Sequence, residues 1–419
     1  MNVVLVGLDI GTSNVRVVIA EYDENNSLKI IGIGQAPSTG LRNGVIVNIE
    51  ATMQTVKDAI SSAESMAGCL VSSVIVGIGG SQVESRNNKG SIPVFNKDRT
   101  EGEITVTDKN NVIKNALAVL IPMDRKIIHI IPRSYIVDDQ KPIKDPINVM
   151  GIRLEAEVHI ITVVKSSAIN FEKCITRAGY GLKNLMSKTL AQSEVVTTKE
   201  ERELGSILID LGGGSTDVLV LLDDSPVYST SIPLGGIIVT NDIAIVRGIS
   251  FDTAEKIKIE SGCCWNLLVD DYEEVLIPGI GGRPPETVLR SHICEIIQPR
   301  MEEILEMVRD EIYKHTKFAS LYGNIILTGG GANMPGILDL VGKVFDTNSV
   351  RIGYPSNYGN NTELYRKPEF ATACGLIVAT ENSISSANIN YMDEKHHASK
   401  NSNKKTIINS VKKFFKEIF

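Results

Sequence analysis

Two stretches of the chain repeat one design, and that repeat constrains the fold more than any other feature. Val3-Val4-Leu5-Val6-Gly7-Leu8 runs into Asp9-Ile10-Gly11-Thr12-Ser13-Asn14 and then into a second apolar run, Val15 to Ala20. Ser206-Ile207-Leu208-Ile209 runs into Asp210-Leu211-Gly212-Gly213-Gly214-Ser215-Thr216-Asp217 and then into Val218 to Leu222. Continuous apolar runs of this length suit strands covered on both faces. Strand, Asp-x-Gly loop with hydroxyl residues, and strand again predict a β-hairpin in each place, not a strand–helix unit. A third run, Asn324-Ile325-Ile326-Leu327, enters Thr328-Gly329-Gly330-Gly331-Ala332-Asn333-Met334-Pro335-Gly336. A helical pattern follows it, with Ile337, Leu338, Leu340, Val341, Val344 and Phe345.

Glycines let backbone N–H groups converge on an anion with no Cβ in the way, and hydroxyls add donors. The aspartate heading each hairpin loop cannot bind phosphate itself, since both are anionic. It can hold Mg²⁺, mostly through water, and the ion then bridges to phosphate oxygens. One hairpin from each half of the chain would grip a triphosphate from both sides. The glycines of the third loop admit a flat base or an α-phosphate at close range. For any single loop the competing reading is a tight turn that binds nothing; three loops of one design in this order favour a ligand. The chain has no G-x-x-x-x-G-K-S/T and no G-x-G-x-x-G opening a helix with an acid beyond it, which excludes a P-loop and argues against a Rossmann site.

With 419 residues the chain has room for two or more domains. A net charge of −7 leaves no nucleic-acid footprint. The cysteines, Cys69, Cys174, Cys263, Cys264, Cys294 and Cys374, lack metal-ligand spacing, so buried thiols in a reducing compartment are expected. The start, MNVVLVGLDIG, lacks the parts of a signal peptide, and no apolar run is long enough to span a bilayer. A cytosolic protein at the inner membrane face fits these features.

The last residues, Lys404 to Phe419, place Ile407, Ile408, Val411, Phe414, Phe415, Ile418 and Phe419 on one stripe of a helix, with Lys404, Lys405, Lys412, Lys413 and Lys416 on the other side. Such a helix suits the plane of an anionic membrane surface. The alternative is a terminal helix docked on the protein's own core. Residues 381–403 are polar, rich in Ser and Asn, and aperiodic, as a flexible tether would be. His396 and His397 in that tether are read as solvated, not as a metal pair.

DIGTSN, DLGGGSTD and LTGGGANMPG resemble the phosphate 1, phosphate 2 and adenosine motifs of the actin/Hsp70/sugar-kinase superfamily. Further segments resemble the FtsA family of bacterial cell division: Ala191 and Ser193 with Glu200-Glu201-Arg202-Glu203-Leu204-Gly205, Ile232-Pro233-Leu234-Gly235-Gly236, Val149 to His159, and Gly281-Gly282-Arg283-Pro284-Pro285. The resemblance implies an α/β, actin-like ATPase fold: two ribonuclease-H-like lobes around a nucleotide cleft, one relocated small α+β subdomain and a C-terminal amphipathic helix. Subdomain 1A would be 1–84 and 165–196, 1C 85–164, 2A 197–241 and 320–380, and 2B 242–319, followed by the linker 381–403 and the membrane helix 404–419. Within 1C, residues 85–110 read as polar and turn-rich, with strands at 127–137 and 154–164 carrying His129 and His159 as packed residues.

Carried over, the resemblance assigns Asp9, Gly11, Thr12, Ser13 and Asn14, and Asp210, Gly212, Gly213, Gly214, Ser215 and Thr216, to ATP phosphates, with Asp9 and Asp210 toward Mg²⁺. Gly235 would lie at the cleft lip, and Gly329, Gly330, Gly331 and Ala332 against the adenosine. Glu255 and Lys258 share a helix face that would meet ribose and base; the alternative is a surface ion pair. Relatives often carry Glu-Pro where this chain has Lys188-Thr189. A protonated lysine cannot activate water, though it could contact a phosphate, so ATP binding with slow or absent hydrolysis is expected; Gln192 is a nearby candidate with no spacing argument to put it in reach. The implied function is an actin-like adaptor that polymerises with itself on the membrane and anchors the FtsZ ring through the FtsZ C-terminal peptide, with Arg290 and Arg300 of 2B as contacts, alongside later division proteins. The alternatives are an MreB-like shape filament and a sugar kinase of the same superfold.

Overall fold

The computed structural model describes residues 4–24, 27–95, 101–118, 121–270, 272–279, 284–316, 323–359 and 362–380. The chain divides into two compact units, Met1–Val378 and Ala379–Phe419, and only residues 379 and 380 of the second are described. The tether, its histidines, the amphipathic tail with its membrane residues, and residues 281–283 of the Gly-Gly-Arg-Pro-Pro stretch therefore lie outside the described residues.

Both expected hairpins form. Leu5–Ile10 pairs antiparallel with Asn14–Tyr22, and Ser206–Leu211 with Thr216–Leu222. Each grows into a five-stranded sheet of the same plan. The first runs Leu28–Pro37, Asn14–Tyr22, Leu5–Ile10, Ser73–Ile78, Gly181–Ser187 across the sheet, and the second Ser225–Ile232, Thr216–Leu222, Ser206–Leu211, Ile325–Thr328, Val350–Ile352. In both, three strands make an antiparallel meander and two more join in parallel beside its first strand. Parallel neighbours need long crossovers, and the extra subdomains occupy them.

The central strands are buried along their whole length because each face meets a different core. Val6, Leu8 and Ile10 pack with Ile60 and Phe171 on one side. Leu5, one residue out of phase, packs on the other with Val18, Leu208, Leu219, Val195 and Ala373. That second cluster joins residues of both sheets. It is built around the helix Lys188–Val196 and the helix that opens at residue 371. The outer core of the second lobe combines Ile207, Ile209 and Val218 with Ile257, Ile297, Leu305 and Leu340. The period of two along each strand thus separates an outer core from a layer shared between lobes.

Between Ser73–Ile78 and Gly181–Ser187 lies a small α+β insert. Its sheet has Arg153–Val164 in the middle, flanked by Val83–Pro93 and Arg125–Val137, and the helix Val106–Ala116 packs on it. The stretch read as turn-rich from residue 85 is in its first part a strand. Its Ser and Asn side chains are polar because it is an edge: Ser85 Oγ donates to Ser229 O at 2.8 Å and Asn87 Nδ2 to Val227 O at 2.8 Å, bridging to the edge strand of the second sheet. His129 and His159 are packed. Ser187 N–H donates to His129 Nε2 at 2.9 Å, and His159 Nδ1 lies 2.7 Å from Asn87 Oδ1. Burial lowers their pKa values to about 4 and about 3, the second helped by Arg133 and His129.

The second lobe's insert carries the helices Gly236–Arg247, Phe251–Ser261 and Arg290–His315 and the hairpin Glu274–Ile277/Glu286–Leu289. Cys69 is half-buried and the other cysteines are buried; all are free thiols. Among the described residues no helix is long and apolar enough to cross a membrane.

Candidate functional site

The two hairpin loops close identically: Gly11 N–H donates to Asn14 O and Gly212 N–H to Ser215 O, each at 3.0 Å. They also meet. A Cβ placed on Gly213 would lie 2.1 Å from Ser13 Oγ, and one on Gly214 would lie 2.5 Å from Thr12 Oγ1, so only glycine lets the second loop approach the first. Beside them opens a cavity of about 430 Å³, in the size range of a small-molecule pocket. Asp9, Gly11, Thr12, Ser13 and Asn14 line it from the first lobe, and Asp210 with Gly212 to Thr216 from the second. Gly235, Glu255, Lys258, Gly329, Gly330 and Gly331 complete the wall.

One expected residue does not. Ala332 is 1% exposed and belongs to the outer core of the second lobe. The tight 3₁₀ turn over Gly330–Asn333 directs it inward and leaves Asn333 and Met334 on the cavity wall. Glu255 and Lys258 are an ion pair at 2.7 Å, but on the cavity wall and not on the surface; Lys258 Nζ also donates to Gly236 O and Thr240 Oγ1.

The structure adds residues that spacing did not reveal. Lys188 Nζ lies 2.7 Å from Asp9 Oδ1 and donates to Ile10 O at 3.2 Å. Gln192 Nε2 donates to Asp210 Oδ2 at 2.7 Å and to Thr372 Oγ1 at 2.8 Å. Asp217, quoted in the second loop but given no role, accepts Gly80 N–H at 3.1 Å and so ties that loop to the first lobe. Arg16 also lines the cavity, its guanidinium 5.6 Å above the Phe370 ring. The available signal for Arg16 was a lone cation in an otherwise apolar buried run; for Gln192 and Asp217 there was none beyond proximity to a motif.

The field in the cleft follows from burial. Asp210 is pushed up to about 7, first by burial and then by Asp217, against the pull of Gln192 and Lys188. Burial likewise raises Asp217. Burial opposes the charge of Lys188, yet Asp9, Asp210 and Asp217 together outweigh it and raise its pKa. Arg16 is lowered by burial against the attraction of Asp9, Glu369 and Asp210.

These residues fit a polyphosphate. Arg16 Nε is buried with no hydrogen-bond partner among the described residues, and such an orphan donor beside glycine amides suits an incoming anion. The fit to Mg²⁺ is through water. Each head aspartate already has one oxygen answered by a side chain, Lys188 or Gln192. Among the described residues no group of three or more His, Cys, Asp or Glu is placed to cage an ion; Mg²⁺ on nucleotides needs only one or two carboxylates beside phosphate oxygens and water.

Arg290 and Arg300 are not free for an acidic peptide. Arg290 pairs with Glu273 at 2.7 Å and donates to Ser261 O at 2.8 Å. Arg300 pairs with Asp242 at 2.6 Å and also with Glu303. Both guanidiniums bind elements of their own lobe together.

Residues 207–375 match the family model described as cell division protein FtsA, and residues 80–162 match the SHS2 domain inserted in FtsA. The chain is 43% identical over 375 residues to the cell division protein FtsA of Borreliella burgdorferi, covering 89% of this chain and 90% of that one. It is 36% identical to FtsA of Escherichia coli K12, with 89% of each covered. Among solved structures, a PilM–PilN type IV pilus biogenesis complex shares the fold at a TM-score of 0.63 and 17% identity, covering 90% of this chain and 98% of that chain. MreB5 of Spiroplasma citri bound to ADP shares it at 0.54 and 16% identity, covering 92% and 98%. The architecture is therefore actin-like, and the chain belongs to the FtsA family of cell-division proteins.

Proposed function

We propose that the protein binds ATP with Mg²⁺ in this cleft, polymerises head to tail on the inner membrane face, and anchors the FtsZ ring there. The observation that carries the nucleotide reading is the pair of equivalent loops, one from each lobe, that meet each other and together line the cavity. Their backbone N–H groups and hydroxyls would hold the phosphates, with Arg16 as a further donor, while Gly329, Gly330, Gly331 and Met334 line the wall for adenosine. Mg²⁺, held through water at Asp9 and Asp210, would neutralise phosphate charge. The fold relative MreB5 was solved bound to ADP, which is in keeping with a nucleotide as the ligand of this fold.

Hydrolysis is slow in this reading. An ammonium paired with Asp9 cannot take a proton from water. The Nε2 of Gln192 is committed to Asp210 and Thr372, and its buried Oε1, without a hydrogen-bond partner among the described residues, can accept from a water but as a neutral amide cannot deprotonate it. The test is titration with a fluorescent ATP analogue together with single-turnover measurement. Saturable binding with little hydrolysis is expected; turnover of several per second refutes the assignment.

The FtsZ peptide would dock on the helical part of the second lobe, where Ile245, Val246, Ile259, Leu267 and Tyr272 are exposed. Arg290 and Arg300 would shape that surface indirectly, through the ion pairs above. The tail would supply the membrane anchor, with Phe414, Phe415 and Phe419 in the lipid boundary and Lys412 and Lys413 at the headgroups.

A further inference from the structure

We propose that Lys188 is a built-in cation of the nucleotide site, so that ATP binding by this protein depends only weakly on divalent ions. The inference rests on the reading of the cleft as an ATP site.

Lys188 opens the helix Lys188–Val196, directly after the strand Gly181–Ser187, and lines the cavity between the two head aspartates. Its stem lies in a trough cut by two glycines. A Cβ on Gly77 would come 3.1 Å from Lys188 Cγ, and one on Gly79 would come 3.1 Å from its Cδ. The ammonium is thus delivered to one place. There it is ion-paired with Asp9 Oδ1 at 2.7 Å and donates to the Ile10 carbonyl at 3.2 Å. An ammonium has three N–H donors; with two answered, the third is left for an oxygen in the cavity. The surrounding acids are Asp9, Asp210 and Asp217, a field that would repel a polyphosphate were it not for the fixed cations in the cleft, Lys188 among the acids and Arg16 beside Asp9 and Asp210.

A divalent ion would normally supply that charge. Here the ammonium already holds Asp9 Oδ1, and a doubly charged ion bound to the same carboxylate would face it at short range. The two cations compete for one anion. The lysine is always present, so the metal adds less than it would in a cleft with free aspartates.

The experiment is equilibrium titration of the full-length protein with a fluorescent ATP analogue, in Mg²⁺ and in EDTA. Wild type should lose less than about threefold in affinity without Mg²⁺, and Lys188→Met, which keeps the stem and removes the charge, at least about tenfold. Mg²⁺ should restore the variant. Wild-type binding that holds in Mg²⁺ and collapses in EDTA overturns the proposal while leaving the ATP site standing. Absence of binding in both conditions overturns the ATP reading itself. Equal EDTA sensitivity of wild type and Lys188→Met also overturns the role of the lysine. The wild-type comparison needs no variant, and Lys188→Gln replaces Lys188→Met should thermal melting show the latter unfolded.

Discussion

The carboxylate of Glu201 is 8% exposed and accepts from four donors. They are Thr198 N–H at 2.8 Å, Asn324 Nδ2 at 2.7 Å, and Arg351 Nε and Nη2 at 2.7 and 2.6 Å. Burial alone would raise its pKa, but Arg351, Asn324 and the Thr198 amide win and hold it at about 2. Its pKa is lower folded than unfolded, so its stabilisation is complete above the unfolded value of 4.5 and fades as pH falls toward 2. Glu201→Gln should cost about 3 kcal/mol at neutral pH, the low end for breaking a buried pair because Arg351 keeps some solvent. Urea midpoints should show the gap to wild type narrowing below pH 4.5; a gap constant down to pH 2 would contradict this. In the sequence this residue was one letter in a charged run. Thr198 is local, but Asn324 and Arg351 stand 123 and 150 residues further on, which no local pattern reveals. The same holds for Gln192, whose neighbour Asp210 was legible and whose reach to it was not.

At the scale of elements, the two helices of the shared layer cross at Gly375. A Cβ there would lie 2.0 Å from Ala191 O and 2.9 Å from Gln192 N. Gly375→Ala must push the helices apart, an overpacking cost of about 3 kcal/mol. It should lower the thermal midpoint and also weaken nucleotide binding, because the displaced segment carries Lys188 and Gln192. Full ATP affinity in a folded Gly375→Ala protein would show that the crossing does not position the cleft. The hairpins were legible because an unbroken apolar run around an Asp-x-Gly loop has few other solutions. The edge strand Val83–Pro93 was not, since its polar residues meet the second lobe instead of a core. Ala332 was misplaced for a related reason: a glycine run marks a turn but does not say which residue the turn faces inward.

At the scale of the whole molecule, one tail of the proposed kind would be a weak anchor. Burying large apolar side chains gives about 1.5–3 kcal/mol each at most, and ordering a helix and a tether removes much of it. Lysines add about 1 kcal/mol apiece on anionic lipid. A row of tails on a filament multiplies the effective affinity. Sedimentation with anionic liposomes should therefore show weak binding by an assembly-defective variant and tight binding by the polymer. Phe415→Glu should release the protein from liposomes while ATP titration is unchanged; a variant that stays bound would exclude the tail as anchor.

Sequence alone determined the duplicated hairpin and the third glycine loop, and further segments such as Val149 to His159 and Ile232 to Gly236 narrowed the family, because the close approach of the loops demands glycine at set positions and buried strands demand unbroken apolar runs. Those are local constraints, written within a dozen residues. Only the tertiary structure decided which groups answer the buried carboxylates of the cleft: the Lys188 ammonium at Asp9, the Gln192 amide at Asp210, the Gly80 N–H at Asp217. Coulomb and hydrogen-bond energies depend on distance in space, and the chain order of these groups says nothing about that distance until the two lobes close on their shared layer.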